Sequence, residues 1–286
     1  MTSVLERLLA LLDLKKVEDD VFQGISPPEP IQRVFGGQVL AQALTAATRT
    51  VEGRLCHSLH AYFLRPGDPQ VPILYRVDRS RDGASFSARR VVAIQQEVPI
   101  FTLAASFQRQ EEGFDHQSQM PVVPAPETLE DDQQLLLRDA SLAPHIRAWV
   151  ARERAFETRS VLGRGPFAAN GDRAARPPVD HIWLRTRGAA PADPIKRRAL
   201  LAYVSDMSLL DASLLPHGKS LFSRIQVASL DHAMWFHRDA PVDDWLLYVQ
   251  DSPSASGGRG FNRGSIYTRD GKLVASVAQE GLIRPR

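Results

Sequence analysis

The sequence predicts an α+β protein built from two similar halves, each an apolar helix cradled by an antiparallel sheet. Two observations predict it. An apolar helix followed by several strand-like runs occurs twice along the 286 residues. Matching stretches also recur about 170 residues apart, and repetition of a whole unit argues for duplicated modules. His60–Arg65 answers His232–Arg238, Ser87–Arg90 answers Ser256–Arg259, and Ala105–Ser106 answers Ala275–Ser276.

The elements follow in chain order. Val4, Leu5, Leu8, Leu9, Leu11 and Leu12 recur with helical spacing, so the N-terminus reads as an amphipathic helix. Glu6 and Arg7 interrupt its apolar part and no small-residue cleavage site follows, which argues against a targeting segment. FGGQVLAQALTAAT, from residue 35, is a helix apolar nearly all round and asks for burial on several sides. Strand-like runs follow at 59–67, 72–83, 85–95 and 99–109, with Asp82–Gly83 as a hairpin signal. Residues 113–128 are Pro-rich and without periodicity. A polar, Leu-containing helix is expected at 129–142, and 163–178 is irregular and rich in Arg and Pro. A connection that long is uncommon inside one compact domain. The division expected is therefore an N-terminal module at 1–112, a linker with some helix at 113–178, and a second module at 179–286. ALLAYVSDMSLL (199–210) is the second helix, followed by strands at 231–238, 245–256, 258–268 and 272–284, with Asp270–Gly271 as a second hairpin signal. Two such units could join edge to edge and leave no exposed central edges.

Composition excludes several classes. Against 35 Lys and Arg stand 33 Asp and Glu, a net charge of +2 that argues neither for nor against a nucleic-acid partner, and no long run of like charge appears; no nucleic-acid partner is expected. No apolar run is read as long enough to span a bilayer, so no membrane insertion is expected. Cys56 is the one cysteine and fits a reducing, cytoplasmic setting. The eight histidines show no metal-ligand spacing, and neither a metal nor a cofactor is expected. GGRGFNRG lacks the GK[ST] ending of a phosphate loop.

One acid stands out. Ala202, Tyr203, Leu209 and Leu210 lie three and four residues from Asp206, so the helical pattern puts a carboxylate on the core-facing stripe. A buried carboxylate needs a partner or a task. Its counterpart in the first half is close to Gln38, so only the second helix carries an acid. Ser229 and Gln279 also break apolar strand patterns, and either could simply face water at a strand start or edge. Gly36 and Gly37 could let a backbone approach a ligand, though a packed helix start is the plainer reading. His60 could assist at a site, though a satisfied core histidine is plainer, and the same holds for His232 and His237. Arg89, Arg90, Arg259 and Arg263 suit phosphate groups or a solvated strand face equally well.

RVFGGQVLAQAL, HSLHAYFLRPGD, RDGASFSARRVVAIQ, the Asp in AYVSDMSLL, LDHAMWFHR and the run from Ser254 to Gly281 together resemble the acyl-CoA thioesterase II (TesB-type) family. The likeness runs from about residue 1 to 284 and is thin across 110–178. It implies a double hotdog fold and hydrolysis of acyl-coenzyme A to a free fatty acid and coenzyme A. It also implies a site of one acid, one hydroxyl and one glutamine, which match Asp206, Ser229 and Gln279. Gly36, Gly37, His60, Arg90 and Arg259 are the candidates for substrate contacts. A homodimer or homotetramer is expected, since hotdogs pair through sheet edges. Two rival functions stay open, a hotdog hydratase or dehydratase and a non-catalytic acyl-CoA-binding protein. Dehydratases pair Asp with His, and no His follows Asp206 within the next few residues.

Overall fold

A computed structural model describes residues 2–27, 32–140, 142–163 and 172–285. Its elements are α1 (Val4–Leu12), β1 (Lys15–Glu18), β2 (Val21–Gly24), α2 (Gly36–Thr48), β3 (Leu55–Phe63), β4 (Ile73–Asp82), β5 (Phe86–Gln95) and β6 (Val98–Gln108). Then come α3 (Asp132–Arg138), α4 (Pro144–Val150), β7 (Phe156–Ser160), β8 (Val179–Thr186), α5 (Pro194–Ser205), β9 (Ile225–Ser229), β10 (Asp231–Phe236), β11 (Leu246–Ser256), β12 (Arg259–Thr268) and β13 (Leu273–Pro285). Contacts divide the chain into two compact units. The first is Met1–His116 with Pro191–Met207 and Leu230–Asp239, and the second is Gln117–Ala190, Ser208–Ser229 and Ala240–Arg286. The segment around α5 and the strand β10 thus group with the N-terminal residues.

In the first unit the strands run in the order β1-β2-β4-β5-β6-β3-β10, all antiparallel. α2 lies on the inner face of this sheet and is buried almost all round, as its apolar sequence requires. Its two glutamines are tied into backbone. Gln42 Nε2 donates to Leu11 O at 2.6 Å and its Oε1 accepts from Tyr75 Oη at 2.7 Å. Gln38 Nε2 donates to Ile25 O at 3.1 Å. The repeat-related strands β3 and β10 pair with each other, His60 opposite Ala233 and Ala61 opposite His232.

In the second unit β13-β12-β11-β8-β7 run antiparallel, with β9 on the other side of β13. A 3₁₀ turn at Leu209–Ser213 packs against β11, β12 and β13. Residues 113–178, expected as a linker, carry α3, α4 and β7, and residues 164–171 of them lie outside the described set. The Pro-rich stretch binds along the sheet for a clear reason. Met120, Val123 and Leu129 cover Trp183, Trp245 and Leu247, and Trp183 Nε1 donates to Pro124 O at 2.9 Å. Burying large rings needs a partner for the indole N–H, and the strap supplies both.

One composition reading needs correction. Pro194–His217 does reach a mean hydropathy of 1.2 over 18 residues. Yet 61% of that window is buried inside the protein, and its helix breaks after Ser205. It is a core segment.

Arg89 is also settled. Its side chain is 1% exposed, pairs with Asp82 at 2.8 Å, and bonds Thr50 Oγ1 and Thr50 O. It ties β5 to the β4 end and to the residues after α2. Arg89→Met should lower the free energy of urea unfolding by about 2–4 kcal/mol, since a buried charged network is broken. The KM for substrate should stay unchanged; a raised KM at full stability would return Arg89 to substrate binding.

Candidate active site

α5 starts on Asp193, whose side chain accepts from Ile195 N, with Pro194 in the first turn. It ends at Ser205. Asp206 is therefore the residue that closes the helix, not one in its middle as the apolar pattern suggested. The helix stops because Ser208 adopts φ −140°, and Leu209 and Leu210 are then buried from a 3₁₀ turn instead. The position has an electrostatic consequence. The C-terminal end of a helix carries partial negative charge and disfavours a carboxylate. Asp206 is nevertheless 3% exposed at the side chain.

The first turn of α2 supplies the compensation, because a helix N-terminus favours an anion. A methyl group at Gly36 would stand 2.6 Å from Asp206 Oδ2, and one at Gly37 would stand 2.4 Å from Tyr203 O. Both glycines are required by close approach. Rings line the same place: Phe35 packs edge-on against Tyr203 at 5.1 Å, and the Phe63 ring lies 3.0 Å from the Gly36 position.

His232, from β10, reaches the same carboxylate. Its Nδ1 lies 3.8 Å from Asp206 Oδ1 and its Nε2 lies 2.9 Å from Ser205 Oγ. Ser205 Oγ also donates to Ala202 O at 2.9 Å. The ring is fully buried, and burial pushes its pKa down to about 3. At neutral pH it is uncharged, so the contact with Asp206 is that of a dipole and not an ion pair. The sequence treats His232 as an ordinary core histidine; nothing in its spacing points to Asp206.

The other candidates divide. Ser229 ends β9 opposite Gly281, two residues from Gln279 on β13. Residues two apart share a face, so Ser229 and Gln279 point to the same side as diagonal neighbours. That side is the packed one: a methyl at Gly281 would collide with Leu210 Cδ2 at 2.1 Å, and Gln279 is 0% exposed. Asn262, which the sequence reading passed over, stands opposite Gln279 and donates to Gln279 O at 3.4 Å. His60 is exposed on the outer face of β3, edge-on to Trp235, so it is neither a core residue nor part of the Asp206 cluster. Arg90 is exposed on β5 opposite Asp78. Arg259 is ion-paired with Glu280 at 2.8 Å and Arg263 with Asp251.

Two outcomes follow from the geometry. Gly37→Ala should destabilise the fold by about 1–3 kcal/mol, because backbone stands where the methyl would go; an unchanged unfolding midpoint would contradict the close approach. The buried ring also makes stability pH-dependent. The unfolded chain binds a proton on His232 near 6.5 and the folded chain only near 3. Stability is therefore complete above pH 6.5 and falls as pH drops toward 3, by about 1.4 kcal/mol per pH unit. His232→Gln should remove that part of the slope in urea titrations at pH 7, 6 and 5, and an identical slope in the variant would count against it.

Comparison with known proteins shows the family. Residues 150–282 match the family model described as acyl-CoA thioesterase, and residues 25–108 match the one described as acyl-CoA thioesterase N-terminal domain. The chain is 43% identical to acyl-CoA thioesterase 2 of Haemophilus influenzae, with 99% of each chain covered. It is 42% identical to acyl-coenzyme A thioesterase 8 of Rattus norvegicus, covering 97% of this chain and 88% of that one. Among solved structures, the acyl-CoA thioesterase II TesB2 of Mycobacterium marinum superposes with a TM-score of 0.79 at 41% identity, covering 98% of both chains. A hot dog fold protein of Alicyclobacillus acidocaldarius superposes at 0.75 with 20% identity over 98% of each chain, which speaks for the fold alone. With the duplicated helix-and-sheet order and the buried acid at a glycine-opened helix start, these likenesses place the chain in the acyl-CoA thioesterase II family, as a hotdog-fold hydrolase of thioester bonds.

Proposed function

We propose that this chain hydrolyses fatty acyl-coenzyme A with Asp206 as the base that activates water, and with Ser229 and Gln279 as the groups that hold that water. The observation that carries the reading is the carboxylate of Asp206, buried against the helix N-terminus at Gly36, where the Phe63 ring also approaches. A carboxylate kept from bulk solvent can take a proton from one ordered water. The hydroxide equivalent adds to the thioester carbonyl. The C–S bond then breaks, the fatty acid forms, and the sulfur leaves with a proton as the coenzyme A thiol. Negative charge develops on the carbonyl oxygen in between. The N–H groups at the start of α2, left uncovered by Gly36 and Gly37, are the donors this reading assigns to it. Ser and Gln suit the water-holding role because each offers both donor and acceptor.

Direct attack by Asp206 on the carbonyl, through an anhydride, is the variant of this chemistry that uses the same residues. The rival that gains an observation is the hydratase or dehydratase, since His232 does approach Asp206 from another element. A buried ring with a pKa of about 3 is a poor proton acceptor at neutral pH, which weighs against it. A homodimer or homotetramer in the cytoplasm belongs to the same reading. The free, buried Cys56, its thiol donating to Ser58 O and pushed by burial up to about 12, suits a reducing compartment.

The test is free-thiol release from palmitoyl-, decanoyl- and acetyl-coenzyme A. Wild type should turn over, and Asp206→Asn should lose about a hundredfold or more in kcat. Equal release by both would make the acid structural. No release by wild type, with hydration of an enoyl thioester instead, would favour the rival.

A further inference from the structure

We propose that His232, set by Ser205, is a positioning residue that offers Asp206 a hydrogen-bond partner in both of its protonation states. The proposal rests on the reading of Asp206 as the base.

The argument starts from the two ring nitrogens. Nε2 is 2.9 Å from Ser205 Oγ. Nδ1 is buried and makes no hydrogen bond, and Asp206 Oδ1 lies 3.8 Å from it. That distance is too long for a hydrogen bond at rest, and catalytic bonds often tighten only when substrate is bound. A buried polar atom left unmatched is costly, so a nitrogen kept there calls for a reason.

Ser205 has one hydroxyl proton and two acceptors at equal distance, Ala202 O and His232 Nε2, each at 2.9 Å. If the hydroxyl donates to Nε2, the neutral ring carries its proton on Nδ1 and turns a donor toward Asp206. If the hydroxyl donates to Ala202 O, Nε2 must donate to Oγ, and Nδ1 turns a lone pair toward Asp206. The first state matches a carboxylate, and it also matches the acid when the water's proton rests on Oδ2, the oxygen beside Gly36, because Nδ1–H then donates to the acid's carbonyl oxygen Oδ1. The second matches only an acid whose O–H points at the ring. The base passes from one form to the other when it takes the water's proton, and in the first state the ring neither gains nor loses one. Ser205 and His232 are each 0% exposed, so solvent does not take over either role.

The experiment measures kcat and KM for decanoyl-coenzyme A, with thermal unfolding as the control for folding. His232→Leu removes both nitrogens and should lower kcat about ten- to a hundredfold. KM should stay within about twofold, since only the reacting state is affected. His232→Asn should recover much of that loss, because a carboxamide can turn either N–H or C=O toward Asp206. Ser205→Ala is the variant least exposed to misfolding and should lower kcat by about tenfold. In an Asp206→Asn background, His232→Leu should cost nothing further, since its effect runs through Asp206. Wild-type kcat in Ser205→Ala and in folded His232→Leu would overturn the proposal. So would an additive loss in the double variant, or a KM that rises in step with the fall in kcat. Full activity of Asp206→Asn alone would instead sink the reading of the base, so the two failures are told apart.

Discussion

The first turn of α2 touches the last turn of α5 with no side chain between them at Gly36 and Gly37. Two helix ends of opposite sign meet there. The C-terminal end of α5 carries Asp206, where its own helix dipole acts against the carboxylate. The N-terminal end of α2 favours it. A carboxylate with 3% exposure is favoured by that second field, and the second field is close because positions 36 and 37 lack Cβ atoms. Substituting either glycine would push apart the pair of dipoles on which the acid depends. The buried, all-round apolar character of α2 follows from the same demand, since a helix whose start is pinned against another helix is enclosed along its length by β3 to β6.

Much of the fold was legible because strands and helices differ in period. The runs expected at 72–83, 85–95 and 99–109 became β4, β5 and β6 within two residues, and those from 231 onward became β10 to β13. β8 escaped because it lies at the end of a stretch whose Pro and Arg content reads as a connection. The missing information was tertiary: Trp183 and Trp245 need cover, and the Pro-rich strap provides it. The end of α5 escaped for a different reason. Leu209 and Leu210 are buried as a helical stripe would require, but they are buried from a 3₁₀ turn. Apolar spacing reports which residues face the core and does not report which helix geometry turns them there.

The site was half legible. Asp206 announced itself as an acid on an apolar stripe, and Ser229 and Gln279 do share one face of a strand pair. His232 was hidden by a register effect. The sequence match sets His60 against His232, yet the paired strands put His60 opposite Ala233 and His232 opposite Ala61. A shift of one residue exchanges the faces of a strand. His60 therefore points outward and His232 inward, although the two stand at the same place in the repeat. Gln38, which the repeat sets close to the counterpart of Asp206, stands in the first turn of α2, whereas Asp206 closes α5, so the two do not occupy equivalent places; Gln38 donates to Ile25 O and ties down the segment before α2.

The neutrality of His232 is what suits it to sit beside a base. A cation 3.8 Å from a carboxylate favours the charged form, which makes the carboxylate a weaker acceptor of a proton from water. A solvent-exposed histidine would become such a cation in mildly acidic conditions. Burial holds this one near 3, so at neutral pH the ring presents a dipole and not a positive charge. The cost of that arrangement falls on stability at low pH, where the folded chain must leave unprotonated a group that the unfolded chain would charge. Nδ1 of that ring, buried and without a hydrogen bond, lies 3.8 Å from Asp206 Oδ1, so the cost is borne where the ring faces the acid.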